Sequence, residues 1–339
     1  MKRFRLGFFK YIRVVAIICG IWTIWLVLLG SQQAFGYLLN QWQVALTMVF
    51  GSMIAGGTSI GGGAVAFPVF TKLLQISPHD AKVFSLAIQA VGMSAATLVI
   101  WSTGIRVEER VIRWGSLGGS LGIVLGLRCF APWLPPDAVK MVFTILLSSF
   151  AITLVALNRR HSLRHLTIPI WGTQQRGLIF LMGLMGGIMS GLVGNGIDIV
   201  LFSVMVLLFR ISEKVATPTS VILMAINALI GLILQVFVFH DFSVQVQSYW
   251  FAAIPVVVVG APLGVMICSL LRRETIAHIL ISLIAIELTT SLLLIPLRPT
   301  VIYTSLITFI LFSTLNYWMY RTQTYAIPFQ KPIYTWKET

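Results

Sequence analysis

Six stretches of this chain contain no Asp, Glu, Lys or Arg, and each can cross about 30 Å of hydrocarbon, the shortest with help from flanking residues. They cover residues 14–30, 83–105, 141–157, 215–239, 242–271 and 300–320. Two weaker stretches, 114–129 and 275–297, are interrupted by Arg128, His278 and Glu287. Because 58% of the 339 residues are hydrophobic and only 10% are charged, too little polar surface remains for a soluble domain. The sequence therefore predicts an all-α polytopic membrane protein.

The formal net charge of +14 arises from Lys and Arg residues in short loops between these stretches. The positive-inside rule explains this placement, so we predict no nucleic-acid partner. Basic residues also precede stretch 14–30, as in a signal peptide. The following SQQAF has no clear small-x-small cleavage site, so we expect this stretch to remain as a span. The three cysteines and five histidines show no metal-ligand spacing, and we predict no metal, disulfide or other cofactor.

Two apolar segments are interrupted by glycine clusters, GGTSIGGGAVAFP and, later, SGLVGNGIDIVLF. Residues 61–63 align with 194–196 at an offset of 133 positions. Farther along, ISPHDAKVFS at 76–85 aligns with ISEKVATPTS at 211–220 at an offset of 135. Two matches in the same order, flanked by spans of similar length, indicate an internal duplication.

Each repeat begins with a broken segment, 42–75 or 177–209, which is too long for one upright helix and too short for two crossings. If both segments are re-entrant hairpins, 19 of the 24 basic residues lie on the side of the N-terminus; if each crosses once, 16 do. A tilted, broken single span is the alternative. We therefore predict two inverted repeats, with about eight full transmembrane helices, two re-entrant helical hairpins, and both termini in the cytoplasm.

This topology divides the chain into five parts. They are an N-terminal basic segment with an extra transmembrane helix (1–41), repeat 1 (42–158), a basic cytoplasmic loop (159–176), repeat 2 (177–298), and a last transmembrane helix with a cytoplasmic tail (299–339).

Non-helical backbone at membrane depth is tolerated only where it is buried in protein or lines a polar cavity. The glycine N–H groups can be approached closely, and a half-helix starting near Ala64 would direct its positive dipole end at the same point. This arrangement suits a small anion. The candidate substrate-binding residues are Thr58, Ser59, Gly61, Gly62, Gly63, Ser85, Gly194, Asn195, Gly196 and Ser220. Close helix packing is the alternative explanation for such glycines, and it explains those between 118 and 126 well.

Two carboxylates lie inside apolar stretches. Burying a charge there costs free energy, so a carboxylate in such a stretch is a candidate functional residue. Asp198, in the first turn of the second half-helix, could relay a proton, bind a coupling cation, or only cap the helix. Glu287 could pair with His278 or Arg298, or lie near a water-filled cleft. Two amides are further candidates for substrate contact or for hydrogen bonds between helices, Gln89 and Asn227.

The segment AGGTSIGGGAVAFPVFTKLLQISPHDAKVFSLAIQ resembles the first signature of the sulfite exporter TauE/SafE family. The matching residues are Gly61, Gly62, Gly63, Pro68, Pro78, His79, Ala81 and Ser85. The second half resembles the family's second copy at Gly191, Gly194, Gly196, Ala216, Thr217 and Ser220. It departs from the family at Asn195, where glycine is frequent, and at Asp198, which adds a negative charge. The resemblance covers about residues 44–297.

The resemblance implies a secondary transporter or permease for small anions such as sulfite, sulfonates or related organosulfur compounds, in a bacterial-type plasma membrane. Our leading hypothesis is an exporter that works by alternating access, coupled to a proton or cation and surrounded by the lipid bilayer. One alternative is a membrane-embedded enzyme acting on lipid or isoprenoid substrates, which needs clustered acid, base or metal-binding residues. Another is an accessory or receptor subunit, which does not need two inverted, unwound segments.

Overall fold

The computed structural model describes residues 2–58, 61, 69–70, 74–131, 135–158, 164–296 and 298–322. Within them it contains twelve α-helices and a single isolated β-bridge. The helices are α1 (Lys2–Leu29), α2 (Ser31–Asn40), α3 (Trp42–Gly57), α4 (Pro78–Thr103), α5 (Glu109–Leu125), α6 (Pro136–Asn158), α7 (Thr173–Val193), α8 (Ile197–Ser203), α9 (Glu213–Ile233), α10 (Val244–Leu270), α11 (Arg273–Leu294) and α12 (Pro299–Arg321). Three of them, α5, α8 and α9, continue into π-helical turns at Gly126–Phe130, Val204–Leu208 and Leu234–Val238. The prediction of an all-α polytopic membrane protein is confirmed.

Eight helices among the described residues are long and apolar enough to cross a membrane, as many as predicted, but the set differs by one. The first arm of the second broken segment, α7, is long enough to span, whereas the α-helical part of α5 has only 17 residues. With its π-helical turn, α5 reaches about 33 Å at 1.5 Å per residue. It carries Arg110, Arg113 and Arg128, which is why its sequence gives a weak membrane signal.

The second broken segment, α7 and α8, turns back to the end of the bundle from which it started. His165, before α7, forms a parallel bridge with Ile211, after α8. The His165 N–H donates to the Arg210 carbonyl at 2.8 Å, and the Ser212 N–H donates to the His165 carbonyl at 2.9 Å. We call this the basic end of the bundle and the segment the second hairpin. A single crossing would have placed these residues at opposite ends.

The first broken segment, α3 and the residues after it up to Gln75, starts and finishes at the other end of the bundle. Tyr37, shortly before α3, has its ring 5.4 Å from that of Phe251 near the start of α10. His79, at the start of α4, lies 3.8 Å from Asp241, which immediately precedes α10. We call this the opposite end and the segment the first hairpin. The two hairpins thus enter the bundle from opposite ends, so the repeats are inverted.

The exits of the two hairpins share one backbone conformation, in the 135-residue register seen in the sequence. The Ile76 N–H donates to the Phe70 carbonyl at 2.8 Å, and the Ile211 N–H donates to the Met205 carbonyl at 2.9 Å. The residue before each isoleucine is left-handed, with φ of 54° at Gln75 and 57° at Arg210. The same pattern follows α9, where His240 has a φ of 53° and the Asp241 N–H donates to the Gln235 carbonyl at 3.0 Å, so it is not specific to the hairpins.

Each hairpin is packed on a helix from the other repeat through glycines. In the second hairpin, α7 runs parallel to α5, and a Cβ added at Gly118 would lie 2.0 Å from the Phe180 carbonyl oxygen. In the first hairpin, α3 runs parallel to α10, and a Cβ added at Gly264 would lie 2.1 Å from the Met53 carbonyl oxygen. Only glycine permits such backbone contact, which is the usual basis of tight helix pairs in membranes. The paired central helices α4 and α9 lie between these two seams.

Local signals in the sequence define the central helix α4. The Ser77 side chain accepts a hydrogen bond from the Asp80 N–H, and Pro78 occupies the first turn, where its missing N–H costs nothing. Gly104 closes the helix in the left-handed conformation, with φ of 67°. The helix is therefore fixed at both ends, which sets the depth of the polar residues along it.

The re-entrant path of the second hairpin predicts a labelling pattern. In a variant with its cysteines replaced by alanine, Leu166→Cys and Lys214→Cys flank the hairpin on exposed sites. We expect an impermeant thiol reagent to label both from the same side of oriented vesicles. Val244→Cys, an 81% exposed control at the opposite end, should react only from the other side. Labelling of positions 166 and 214 from opposite sides would contradict the hairpin.

Candidate functional site

The two glycine turns meet inside the bundle. Gly61 has a φ of 74°, and a Cβ added there would lie 2.8 Å from Nδ2 of Asn195 and 3.4 Å from Oδ2 of Asp198. A side chain at this position would therefore be strained by its backbone and would collide with the second turn. The first turn approaches the second so closely only because residue 61 is glycine.

The second turn is held by its own side chains. Gly194 ends α7 with a φ of 96°, and its N–H donates to the Ser190 carbonyl at 2.8 Å. The Ser190 hydroxyl accepts from the Ile197 N–H at 3.1 Å, and Oδ1 of Asp198 accepts from the Gly196 N–H at 2.9 Å. Asp198 thus caps the turn with one carboxylate oxygen. Its other oxygen, Oδ2, is buried without a hydrogen-bond partner among the described residues and lies on the side of Gly61.

The central helix α4 contacts the second turn through two polar side chains. Nε2 of Gln89 donates to the Gly194 carbonyl at 3.0 Å and to the Ser85 hydroxyl at 2.7 Å. A Cβ added at Gly194 would lie 3.0 Å from that of Ser85, so this glycine too is required by close approach. Repeat 1 therefore holds the turn of repeat 2 in place through hydrogen bonds to its backbone.

A cavity lies beside this junction, between α3, α4 and α10. Its lining is mostly apolar, with side chains such as Met48, Phe84 and Val257. The polar residues of the lining, among those the structure describes, are Ser52, Ser85, Gln89, Lys140 and Asn195. Three of the residues predicted for substrate binding or contact thus come together here. A cavity with an apolar wall and a few convergent polar groups is the usual form of a small-ligand site.

The charged residue of this lining, Lys140, was not expected from the sequence. It lies near the start of α6, and its Nζ is 2.6 Å from Oε1 of Glu287 on α11. Both side chains are buried, with exposed fractions of 7% and 0%. Two hydroxyls complete the cluster, since Thr144 lies 3.4 Å and Ser291 3.3 Å from Oε1 of Glu287, and 2.9 Å from each other.

The partner of Glu287 corrects the sequence interpretation, which proposed His278 or Arg298. His278 lies nine residues earlier on α11, over two turns away, and Arg298 lies beyond the end of that helix. Lys140 reaches Glu287 because α6 packs along α11. A buried ion pair of this kind costs several kcal/mol of desolvation per ion, so it is weak evidence for a role in stability alone.

Thr58, Ser220 and Asn227 do not line this cavity, and several other predicted residues lie outside the described part of the chain. The Thr58 hydroxyl donates to the Ile54 carbonyl at 2.8 Å, and that of Ser220 to the Thr217 carbonyl at 2.8 Å. Asn227 lies against α5, where a Cβ added at Gly119 would be 3.1 Å from its Oδ1. Ser59, Gly62 and Gly63, and the half-helix start near Ala64, fall outside the described residues.

A polar stripe in the sequence could have revealed Lys140. Lys140, Thr144 and Ser148 recur every four residues and so share one helix face, in a segment that otherwise reads as an apolar span. Glu287 and Ser291 have the same spacing on α11. The long separation along the chain hides their pairing, and Lys140 directly before residue 141 reads as an ordinary charge at the end of a span.

The fold and this site together define a class of protein. Inverted repeats, broken helices that meet inside the bundle, and a cavity at their junction characterise secondary transporters. The family comparison agrees with this class: the chain belongs to the sulfite exporter TauE/SafE family, whose model matches residues 44–289. This is a family of membrane transporters for sulfite or related anions. No curated protein and no solved structure matches the chain.

Proposed function

We propose that this protein exports small anions, such as sulfite, sulfonates or related organosulfur compounds, by alternating access. The observation that carries the proposal is the meeting of the two inverted turns, Gly61 against Asn195 and Asp198, beside a cavity that contains a buried lysine. Hairpins that enter from opposite ends give one central site two routes, one toward each side of the membrane. The family supports the substrate class.

The polar groups of the cavity have the chemistry that an oxyanion requires. The Ser52 and Ser85 hydroxyls and the Asn195 amide supply neutral donors, while the Lys140 ammonium supplies a positive charge. The apolar lining keeps water from competing with these donors, which strengthens each interaction. A small anion with several oxygens can use several donors at once, whereas a lipid substrate would gain little from them.

Orientation and coupling form part of the same proposal. The basic end holds the described loops with most of the arginines, so we propose that it faces the cytoplasm of a plasma membrane, with both termini on that side. Asp198, buried beside Gly61, is the proposed site of a coupling proton or cation. Its Oδ2 is buried, has no hydrogen-bond partner among the described residues and lies on the side of Gly61, which supports this role.

Flux into proteoliposomes tests the proposed function. We expect the purified chain to carry radiolabelled sulfite, with sulfoacetate and thiosulfate as competitors, and protein-free liposomes to carry none. Ser85→Ala should lower the initial rate about tenfold, because a hydroxyl donor to the substrate is lost from the cavity wall. Ser269→Ala is the matched control, since that hydroxyl is exposed and bonds only to its own helix at Met266. Absence of uptake of every anion at several pH values would refute the proposal.

A further inference from the structure

The buried ammonium of Lys140 takes part in an ion pair and also lines the cavity. It forms an ion pair with Glu287 on one side, at 2.6 Å, and it lines the cavity beside the glycine turns on the other. As a pair, the two side chains are formally neutral. An anion that enters the cavity therefore finds a cation whose charge is already balanced by a resident carboxylate.

Binding of an anion changes the net charge of this buried site. With the anion bound, Lys140 would face two negative charges in a buried site, and an uncompensated charge in such surroundings is costly. A proton on Glu287 removes the excess charge and releases Lys140 toward the cavity. The substrate anion and the Glu287 carboxylate thus compete for the Lys140 ammonium group. Lys140 pairs with the anion when Glu287 is protonated and with Glu287 when it is ionised.

We propose that Lys140 is the cation that binds the substrate anion, and that Glu287 exchanges with the substrate by taking up a proton. On binding, the Lys140 ion pair with Glu287 breaks, one proton attaches to the Glu287 carboxylate, and the anion pairs with Lys140. On release, the anion and that proton leave, and the ion pair forms again. Each cycle moves one anion together with one proton. This inference rests on the proposed function; it assigns the anion-binding residue and adds, in Glu287, a second protonation site besides Asp198.

The surroundings of Glu287 suit both protonation states. The Thr144 and Ser291 hydroxyls lie within 3.4 Å of Oε1 and can donate to a carboxylate or accept from a carboxylic acid. Oε2 is buried and has no hydrogen-bond partner among the described residues, so a proton there displaces no existing bond. Neutral hydroxyls impose no fixed charge on the carboxyl group.

Among the described residues, few other charges face this carboxyl group from α6 and α9, which pack on α11. On α6, Asp137 lies one turn before Lys140. On α9, Glu213 and Lys214 lie at the basic end. The remaining charges on α11 itself, Arg273 and Glu274, are near its start at the same end, as is His278, and Arg298 follows the helix. Asp198 is the other carboxyl group close to the cavity.

Binding of sulfite to the detergent-purified full chain tests the exchange. Glu287→Gln removes the competitor and keeps the shape, so we expect sulfite to bind about tenfold more tightly and to raise the melting temperature more than in the unchanged protein. The difference in affinity between the two should grow as the pH rises, because Glu287 competes only when ionised. Glu274→Gln, on the same helix but exposed, is the control and should change neither quantity.

Removal of both charges isolates the role of Lys140. Lys140→Met alone leaves a buried carboxylate unpaired, so the informative variant is Lys140→Met with Glu287→Gln, which is neutral and of similar volume. We expect it to fold, by its elution as a single species and its melting curve, and to lose sulfite affinity about a hundredfold. Arg298→Met removes an exposed charge beyond α11 and should bind normally.

The outcomes separate this inference from the proposed function. Unchanged sulfite binding in the double variant, or the same affinity and pH dependence in Glu287→Gln as in the unchanged protein, would refute the exchange even if the protein carries sulfite. If the unchanged protein shows no flux but binds sulfite through Lys140, the proposed transport fails and the assigned binding residue stands. A bound anion without any Lys140 dependence would place the site elsewhere.

Discussion

Gly61→Val is expected to abolish anion flux while leaving the protein in the membrane. The first atom of the new side chain would lie 2.8 Å from Nδ2 of Asn195, and the branched residue would sit at a φ of 74°, where it is strongly disfavoured. The two turns must then separate, and the cavity beside them loses its shape. Flux of sulfite into proteoliposomes, normalised to the amount of reconstituted protein, should fall at least about a hundredfold.

The contact and the backbone strain can be separated with a second glycine. Gly104 has a similar φ of 67°, but a Cβ added there would meet no atom within 4 Å. Gly104→Val should therefore destabilise the end of α4 by about 1–3 kcal/mol without abolishing flux. If both variants lose transport equally, strain rather than the meeting of the turns explains the effect. Full activity of Gly61→Val would show that the turns need not touch.

Gly118→Ala is expected to disrupt assembly of the bundle. The added methyl group would lie 2.0 Å from the Phe180 carbonyl oxygen and 2.8 Å from the Leu184 N, both in the backbone of α7. Backbone atoms cannot rotate away, so α5 and α7 must separate along their length. The cost should reach or exceed the upper range for overpacked cores, about 3 kcal/mol. Fluorescence-detected size exclusion should show a reduced yield and a lower melting temperature.

Gly177→Ala is the matched control for this prediction. Gly177 lies on α7, the partner helix of the same seam, and a Cβ added there would meet no atom within 4 Å. Because alanine has the higher helix propensity, this variant should be as stable as the original or more so. Equal stability of the two variants would show that the seam tolerates separation.

The sequence predicted the parts of the site that interrupt a regular pattern. The glycine turns and Asp198 break apolar segments, and non-helical backbone within a membrane has few physical explanations. Charge placement along the loops then indicated hairpins, because it depends only on which end of each span is basic. The bridge between His165 and Ile211 agrees with that topology.

The features that sequence reasoning missed depend on contacts between distant segments. Lys140 and Glu287 are separated by most of repeat 2, and nothing in either neighbourhood identifies the other as its partner. The π-helical turns at the ends of α5, α8 and α9 were likewise not predicted, because an extra residue in a helical turn leaves the hydrophobic pattern almost unchanged. The second arm of the first hairpin falls largely outside the described residues.

Each hairpin packs on a helix from the other repeat, and this has a consequence for biosynthesis. When α3 enters the bilayer, its packing partner α10 has not yet been translated. The partner of α7, in contrast, is α5, which precedes it in the chain. The second hairpin can therefore pack on α5 as soon as it is inserted. The first hairpin can pack on α10 only after the later part of the chain has been inserted. A ribosome that stalls between the two repeats would leave in the membrane an amino-terminal fragment with its glycine face uncovered, a natural substrate for membrane quality control.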